Sequence, residues 1–144
     1  MAENQGHQEL QASPEEIAAI LKNYRVVAVV GLSADPSRPS YQVARYLQEH
    51  GYRIVPVNPG YKEILGEKCY PSLKDIPFPV EVVDIFRQPE AIEAIVSEAL
   101  EVGAKVIWMQ LGLINEEAAR RARAAGLKVV MDRCLKIEHG HHLG

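Results

Sequence analysis

The segment from Gly31 to Ser40 (GLSADPSRPS) contains the residues of the chain that are best suited to binding an anion. Gly31 lets the backbone approach a ligand closely, and Arg38 supplies a planar guanidinium whose N–H groups match phosphate oxygens. The hydroxyl groups of Ser33, Ser37 and Ser40 are further donors. A helix predicted to begin near Ser40 adds free N–H groups and the positive end of its dipole. The segment therefore predicts an anion site; the alternative is a polar surface loop in which serine only caps the helix.

Two other side chains could take part in chemistry, and each has a structural alternative. Cys134 lies near Arg133 and Lys136, whose positive charges can stabilise a thiolate, or it is a buried and unreactive thiol. Asp84 lies among apolar residues and is either a core acid with partners or an outward side chain near a strand end. Because spacing alone assembles no nucleophile, base and orienting group, no catalytic residue is predicted.

The histidine-rich end of the chain carries metal-ligating atoms without a predicted rigid element to hold them. Glu138, His139, His141 and His142 lie in a glycine-containing terminus, where coordination geometry is not fixed. We therefore predict a flexible tail over residues 139–144 and no metal site.

Five apolar segments predict the β-strands that must position these residues. They are Val26–Val30, Tyr52–Val57, Val80–Phe86, Ala104–Met109 and Leu127–Met131. Periodicity and capping residues predict helices from Pro14 after Ser13, over Tyr41–His50 capped by Ser40, over Ile92–Leu100, and after Asn115, with a single turn over Leu73–Ile76. This alternation predicts an α/β fold with a doubly wound, parallel, five-stranded sheet. Right-handed crossovers place the first strand in the middle, and Pro56 predicts that the second lies at an edge or has an irregular end.

The chain of 144 residues, 47% of them apolar, predicts one domain whose core needs no disulfide or metal for stability. We place it at residues 13–138, between a flexible head over residues 1–12 and the tail. The net charge of −3 argues against nucleic acid and anionic membrane surfaces as partners. The N-terminus lacks a signal-peptide pattern, no apolar run approaches the ~18 residues of a membrane helix, and Cys69 and Cys134 lack zinc spacing. We therefore expect a cytoplasmic protein.

Ligands of doubly wound sheets bind at the carboxyl ends of the strands, so the residues that follow each strand matter most. Asn58 and Pro59 follow the second strand, and Gln110 follows the fourth. The dinucleotide pattern G-x-G-x-x-G does not occur after the first strand, where Gly31 is followed by LSADP, and Asn58 lies near the place of the expected acid. These departures disfavour NAD, and the lack of a Walker pattern disfavours a nucleoside triphosphatase.

Five blocks of sequence together resemble the coenzyme A-binding domain family, small proteins similar to the N-terminal domain of the succinyl-CoA synthetase α subunit. The blocks are VGLS (30–33) with PSRPSY (36–41), GYRIVPVNP (51–59), DIFR (84–87), WMQLG (108–112) and VMDRC (130–134). The resemblance implies a Rossmann-like domain that holds coenzyme A across its strand ends.

The resemblance also implies which residues contact the cofactor. They correspond to Leu32, Ser33 and Ala34 after the first strand, to Lys62 after the second, and to Phe86, Arg87 and Gln88 after the third. Anion chemistry and position at the strand ends add Gly31, Arg38, Ser40, Asn58, Pro59 and Gln110.

We expect a protein that binds coenzyme A or an acyl-CoA and has no ligase activity of its own. The synthetase α subunit has a second domain with a phosphorylated histidine and a nucleotide-binding β partner, and this chain ends at Gly144, too early for either. One alternative is an enzyme or accessory subunit that handles acyl-CoA, with Cys134 or Asp132 as the reactive group. A second alternative is a regulator that binds an NAD-type dinucleotide. The sequence assigns no protein partner.

Overall fold

The computed structural model describes residues 11–144, so most of the predicted head, residues 1–10, lies outside the described residues. The helices are α1 Pro14–Asn23, α2 Pro39–Glu49, α3 Ile92–Glu101, α4 Glu116–Ala124 and α5 Leu135–His142. The strands are β1 Val26–Val30, β2 Arg53–Val57, β3 Glu63–Ile64, β4 Glu67–Lys68, β5 Val82–Ile85, β6 Val106–Met109 and β7 Lys128–Val130. Two 3₁₀ turns occupy Leu73–Asp75, where a turn is predicted, and Pro89–Ala91.

The main sheet is parallel and has the strand order β2-β1-β5-β6-β7. All five predicted strands are present in it. β2 lies at an edge, as Pro56 predicts, because proline cannot donate a hydrogen bond to a second neighbour. The prediction that β1 is the middle strand is wrong. The connections after β5 and β6 continue in one direction, which places three strands on one side of β1 and only β2 on the other.

Helices cover both faces of the sheet, which confirms the doubly wound arrangement. One apolar cluster joins alternate strand residues to the buried faces of α1, α2 and α5. The other joins the remaining strand residues to α3 and α4. Val27 and Val29 belong to the first cluster, whereas Ala28 and Val30 belong to the second. This division follows from the alternation of side chains along a strand, and it explains why β1 is apolar without interruption.

The predicted capping residues differ in outcome. Ser13 caps α1 by accepting a hydrogen bond from Glu16 N–H at 3.1 Å, and Asn115 caps α4 by accepting one from Ala118 N–H at 2.9 Å. Ser40 does not cap α2, because the helix begins one residue earlier, at Pro39. The fixed φ of proline suits the first helical position, so Arg38 becomes the N-cap and Ser40 lies within the first turn.

The predicted ends of the domain also differ from the structure. Ala12, assigned to the head, is buried beside α1. Residues 139–142, assigned to a flexible tail, belong to α5. His139 is buried, and its Nδ1 lies 2.9 Å from the Tyr46 hydroxyl of α2. These contacts join segments far apart in the chain, which is why local composition predicted a solvated end.

The connection after β2 contains a hairpin that the sequence analysis did not predict. β3 and β4 pair in antiparallel fashion through Leu65 and Gly66, which both have positive φ angles, of 55° and 75°. Two successive residues with positive φ are typical of a tight hairpin turn. Within residues 11–144, no helix has the length and apolar character needed to cross a membrane.

Gly31 connects β1 to the segment that precedes α2, and its conformation depends on having no side chain. Its φ is +90°, and a Cβ atom there would overlap the carbonyl oxygen of Phe86. We expect Gly31→Ala to lower the free energy of unfolding by roughly 2–4 kcal/mol, since backbone strain and steric overlap add. Urea denaturation measures this change.

Gly126→Ala is the matched control for this substitution. Gly126 has nearly the same φ, +92°, but among the described residues, its two chain neighbours aside, no atom lies within 4 Å of the added Cβ. Its expected cost is therefore only the backbone strain, about 1–2 kcal/mol. Equal losses in the two variants would show that the contact with Phe86 does not constrain the fold.

Candidate functional site

A cavity of about 1150 Å³ lies at the carboxyl ends of the strands. Its volume slightly exceeds the range of about 300–1,000 Å³ that is typical of small-molecule sites. The chain leaves β1 toward α2 on one face of the sheet and leaves β5 toward α3 on the opposite face. Because β1 and β5 are neighbours, the two connections diverge and open a crevice at this switch point, as the sequence analysis expected.

One side of the cavity is rich in hydrogen-bond donors. It is formed by Gly31, Ser33, Arg38 and Ser40, which come from the loop after β1 and the start of α2. No described side chain caps α2, so the first-turn N–H groups of the helix keep the capacity to bind an anion. Within residues 11–144, Arg38 forms no salt bridge. This side is therefore suited to phosphate or carboxylate oxygens.

The loop after β1 is held in shape by its own hydrogen bonds. Ser33 N–H donates to Ser40 Oγ at 3.0 Å, and Asp35 N–H donates to Ser33 Oγ at 3.0 Å. The Asp35 carboxylate accepts from both the N–H and the hydroxyl of Ser37, and these bonds, the backbone one first, lower the pKa of Asp35. These bonds use N–H groups of the loop itself and hold the hydroxyl groups of Ser33 and Ser40 in place before any ligand arrives, which reduces the entropic cost of binding.

The other side of the cavity is mainly apolar and was not predicted. Pro71 and Leu73 contribute from the connection before β5, and Ala91, Ala94 and Ile95 contribute from the start of α3. The residues that α3 contributes are spaced three or four apart, and this spacing is visible in the sequence as one face of a helix. It could not be distinguished from a row facing the core, because only the packing of α3 decides which face is left open.

Eight of the predicted binding residues line the cavity: Gly31, Ser33, Arg38, Ser40, Phe86, Arg87, Gln88 and Gln110. The other five, Leu32, Ala34, Asn58, Pro59 and Lys62, do not belong to its lining. The side chain of Leu32 is completely buried in the core beside α2. Asn58 donates to Leu32 C=O at 3.0 Å and accepts from Gly60 N–H at 2.9 Å, so its amide supports the loops. Lys62 is exposed to solvent.

The two thiols lie in different environments. Cys134 is half-buried at the N-cap of α5 and lines the cavity. Cys69 is buried, burial raises the pKa of its thiol, and Sγ donates to Asn58 C=O at 3.3 Å. Among the described residues, which include the histidines of α5, no group of three or more His, Cys, Asp and Glu side chains could hold a metal ion.

The sequence left two alternatives for Asp84, a core acid with partners or an outward side chain, and the structure shows the core acid. It lies in the middle strand and is completely buried. Its Oδ1 accepts a hydrogen bond from Gln110 Nε2 at 2.6 Å, whereas Oδ2 has no partner among the described residues. Loss of hydration raises the pKa of Asp84 to about 8, and the hydrogen bond from Gln110 only partly opposes this shift. The carboxyl group is therefore largely protonated at neutral pH.

A family model described as a CoA binding domain matches residues 25–140, which include every strand and all of the cavity lining. The chain belongs to the CoA-binding domain family. This assignment confirms the resemblance seen in the sequence, and it agrees with the Rossmann-like sheet and with a crevice at its switch point.

Relatives of this CoA-binding domain include small proteins and parts of large enzymes. The uncharacterized protein YneT of Bacillus subtilis is 44% identical over 88% of this chain and 94% of its own length. The α subunit of acetate–CoA ligase [ADP-forming] II of Pyrococcus furiosus is 31% identical over 83% of this chain, but only 28% of the subunit is covered.

The similar solved structures also include both a small protein and one part of a large enzyme. A hypothetical protein from Pyrococcus horikoshii OT3 has a TM-score of 0.90 at 46% identity and covers 94% of this chain and 95% of its own. The dinucleotide-forming acetyl-coenzyme A synthetase 1 of Ca. Korarchaeum cryptofilum has a TM-score of 0.69 at 28% identity and covers 78% of this chain. The match spans 26% of the synthetase chain. The fold thus occurs both alone and as one part of a larger enzyme.

The buried carboxyl group of Asp84 makes stability depend on pH. Above the ordinary pKa of about 3.8 the unfolded chain loses this proton, whereas the folded chain keeps it up to about pH 8. Since the folded state binds more protons in this window, its stability falls as the pH rises. We expect the unfolding free energy of the wild type, relative to Asp84→Asn, to fall by roughly 1.4 kcal/mol per unit between about pH 5 and about pH 7.

Urea denaturation across this pH range checks the expectation. Glu90→Gln, which removes one exposed carboxylate, is the control for loss of a surface charge. Parallel profiles for the wild type and Asp84→Asn would show that Asp84 is ionised in the folded protein at neutral pH.

Proposed function

We propose that this domain binds coenzyme A or an acyl-CoA in the cavity at the strand ends. The observation that carries the proposal is the division of one large cavity into a donor-rich side and an apolar side at the switch point of the sheet. Coenzyme A has the matching division, because it joins a phosphorylated nucleotide to a long neutral pantetheine arm. The family match and the relatives whose names include CoA ligase support the same ligand.

The donor-rich side is the proposed site of the phosphates. Arg38 provides a guanidinium fork, Ser40 provides a hydroxyl, and the start of α2 provides backbone N–H groups. Gly31 lines the cavity, and its lack of a side chain lets the chain after β1 lie directly against Phe86 at the end of β5. Phe86, Arg87 and Gln88 line the crevice after β5, where they would contact the ligand.

The residues that do not line the cavity have a supporting role in this proposal. Leu32 anchors the loop in the core, and Asn58 holds the backbone of Leu32 from the neighbouring connection. Ala34 and Pro59 belong to the same two connections. A contact between the ligand and Lys62 stays a prediction.

We propose recognition rather than acyl transfer as the activity of this domain. The ionisable side chains that line the cavity are those of Arg38, Arg87, Glu98 and Cys134, and none of them is a histidine. Histidine is a common activating base for a thiol nucleophile, and Asp132, the other reactive candidate, does not belong to the lining. The match covers 28% of the ligase subunit, so the ligase reaction is not transferred to this domain.

The NAD alternative is weaker for a structural reason. Asn58 lies at the end of β2, where an acid would bind ribose hydroxyls in an NAD site. Its side chain is already committed to Leu32 C=O and Gly60 N–H. The two free thiols agree with the reducing cytoplasm, which is the compartment we propose.

Isothermal titration of the ligand-free protein with coenzyme A, acetyl-CoA, dephospho-CoA and NAD tests the function. We expect coenzyme A and acetyl-CoA to bind more tightly than NAD. We expect Arg38→Ala to weaken coenzyme A roughly 10- to 100-fold, which corresponds to the loss of a charge-assisted hydrogen bond.

Arg45→Ala is the matched control, since Arg45 lies on the same helix outside the cavity and pairs with Glu49 at 3.8 Å. It should leave the affinity unchanged. Equal affinities for Arg38→Ala and the wild type would show that the phosphates bind elsewhere, and absence of coenzyme A binding by the wild type would refute the proposed function.

A further inference from the structure

Asp84 and Gln110 form a polar pair that connects the buried sheet to the cavity. In the register of the sheet, Asp84 lies between Val29 of β1 and Trp108 of β6, both of which are completely buried. Gln110 follows β6, is almost completely buried and lines the cavity. A carboxyl group in this position opposes folding, since an apolar side chain of similar shape would avoid its loss of hydration. We therefore look for a function of the pair at Gln110, the member that lines the cavity.

The hydrogen bond to Asp84 fixes the direction of the Gln110 side-chain amide. Gln110 Nε2 donates this bond to Asp84 Oδ1 at 2.6 Å, and a neutral carboxyl group keeps the acceptor capacity that the bond requires. The amide oxygen, Oε1, then lies on the opposite edge of the planar group. Among the described residues none donates to Gln110 Oε1, and this atom is not sealed from solvent. Gln110 Oε1 can therefore accept a hydrogen bond from a ligand in the cavity.

The surroundings of this acceptor determine which ligand group suits it. Leu111 and Leu113, which follow Gln110 in the chain, and the half-buried Cys134 also line the cavity. An uncharged oxygen beside apolar walls repels a phosphate and favours a neutral N–H donor. In coenzyme A the neutral N–H donors on a flexible arm are the two secondary amides of pantetheine.

We propose that Asp84 is a positioning residue, which holds Gln110 so that Oε1 accepts a hydrogen bond from an amide N–H of the pantetheine arm. The inference rests on the proposed binding of coenzyme A. Asp84 itself touches no ligand; it acts only through the orientation of Gln110. This role assigns the buried acid to recognition of the arm rather than of the nucleotide.

The test compares coenzyme A with adenosine 3′,5′-bisphosphate, which is the nucleotide part that the two ligands share. Coenzyme A adds a second 5′-phosphate and the pantetheine arm. We expect Gln110→Leu to weaken coenzyme A roughly 3- to 10-fold, the range for one neutral hydrogen bond, and to leave adenosine 3′,5′-bisphosphate unchanged. Gln48→Leu, the same substitution at a half-buried residue outside the cavity lining, is the matched control and should not alter the ratio of the two affinities.

Asp84→Leu and Asp84→Asn test the positioning step. Leucine has the shape of aspartate without an acceptor, and asparagine can pair with either edge of the Gln110 amide. Both should reduce the affinity for coenzyme A alone. In a double-mutant cycle, Asp84→Leu combined with Gln110→Leu should cost no more than Gln110→Leu by itself.

The possible results separate this inference from the function on which it rests. If the wild type binds neither ligand, the proposed function fails. If it binds both and Gln110→Leu weakens them equally, or neither, the role of the pair is overturned while the function stands. Equal losses for both ligands in the Asp84 variants would indicate a purely structural role and also overturn it.

An NMR measurement on the wild type decides the matter if the Asp84 variants do not fold. The Gln110 side-chain amide should show one slowly exchanging Nε2 hydrogen in the free protein, because that hydrogen is bonded inside the sheet. Addition of coenzyme A should leave this hydrogen protected. Rapid exchange of both Nε2 hydrogens in the free protein would refute the anchoring.

Discussion

The divergence of the chain after the neighbouring strands β1 and β5 is the constraint on which the rest of this structure depends. One connection goes to α2 and the other to α3, on opposite faces of the sheet, so neither can fill the space between them. The crevice is therefore a consequence of topology and exists before any side chain is chosen. It also brings the backbone at Gly31 close to the carbonyl group of Phe86, which leaves no room for a Cβ atom.

The two walls of this crevice have different chemical characters because they come from different kinds of element. The wall that includes Arg38 and Ser40 is the beginning of a helix, where backbone N–H groups and the helix dipole favour negative charge. The opposite wall, with Ala94 and Ile95, is the side of a helix after a 3₁₀ turn, and it offers hydrocarbon surface. A ligand with a charged end and a neutral arm can satisfy both walls at once, whereas inorganic phosphate would use only one.

Asp84 shows that the sheet is not optimised for stability alone. Its carboxyl group is completely buried, and within residues 11–144 Gln110 is its only hydrogen-bond partner. In the interior an acid of this kind is retained in its neutral form, which explains the raised pKa. The same low polarity that makes the group costly also makes its hydrogen bond to Gln110 directional, so a feature that opposes folding can define the orientation of an amide at the cavity.

The sequence by itself determined the elements and the segment most suited to anions. Each of these features is local: strands covered on both faces are continuously apolar, Ser13 and Asn115 cap the helices that follow them, and Pro56 keeps its strand at an edge. The family resemblance was also visible in the sequence, because its motifs lie in short blocks. Much of the site could also be predicted from the sequence, since residues that follow parallel strands necessarily meet at one edge of the sheet.

Only the tertiary structure decided the remaining features. In the folded domain Leu32 is buried in the core, and the Asn58 side chain donates a hydrogen bond to the backbone of a neighbouring loop. One apolar face of α3 lines the cavity, and residues 139–142 form a helix that contacts α2. The structure also showed that Asp84 is joined to Gln110, 26 positions away in the chain. Each of these outcomes depends on which distant segment packs against a residue. Periodicity and spacing do not show which distant segments pack together, because the contacts that stabilise this packing form only when the whole domain folds.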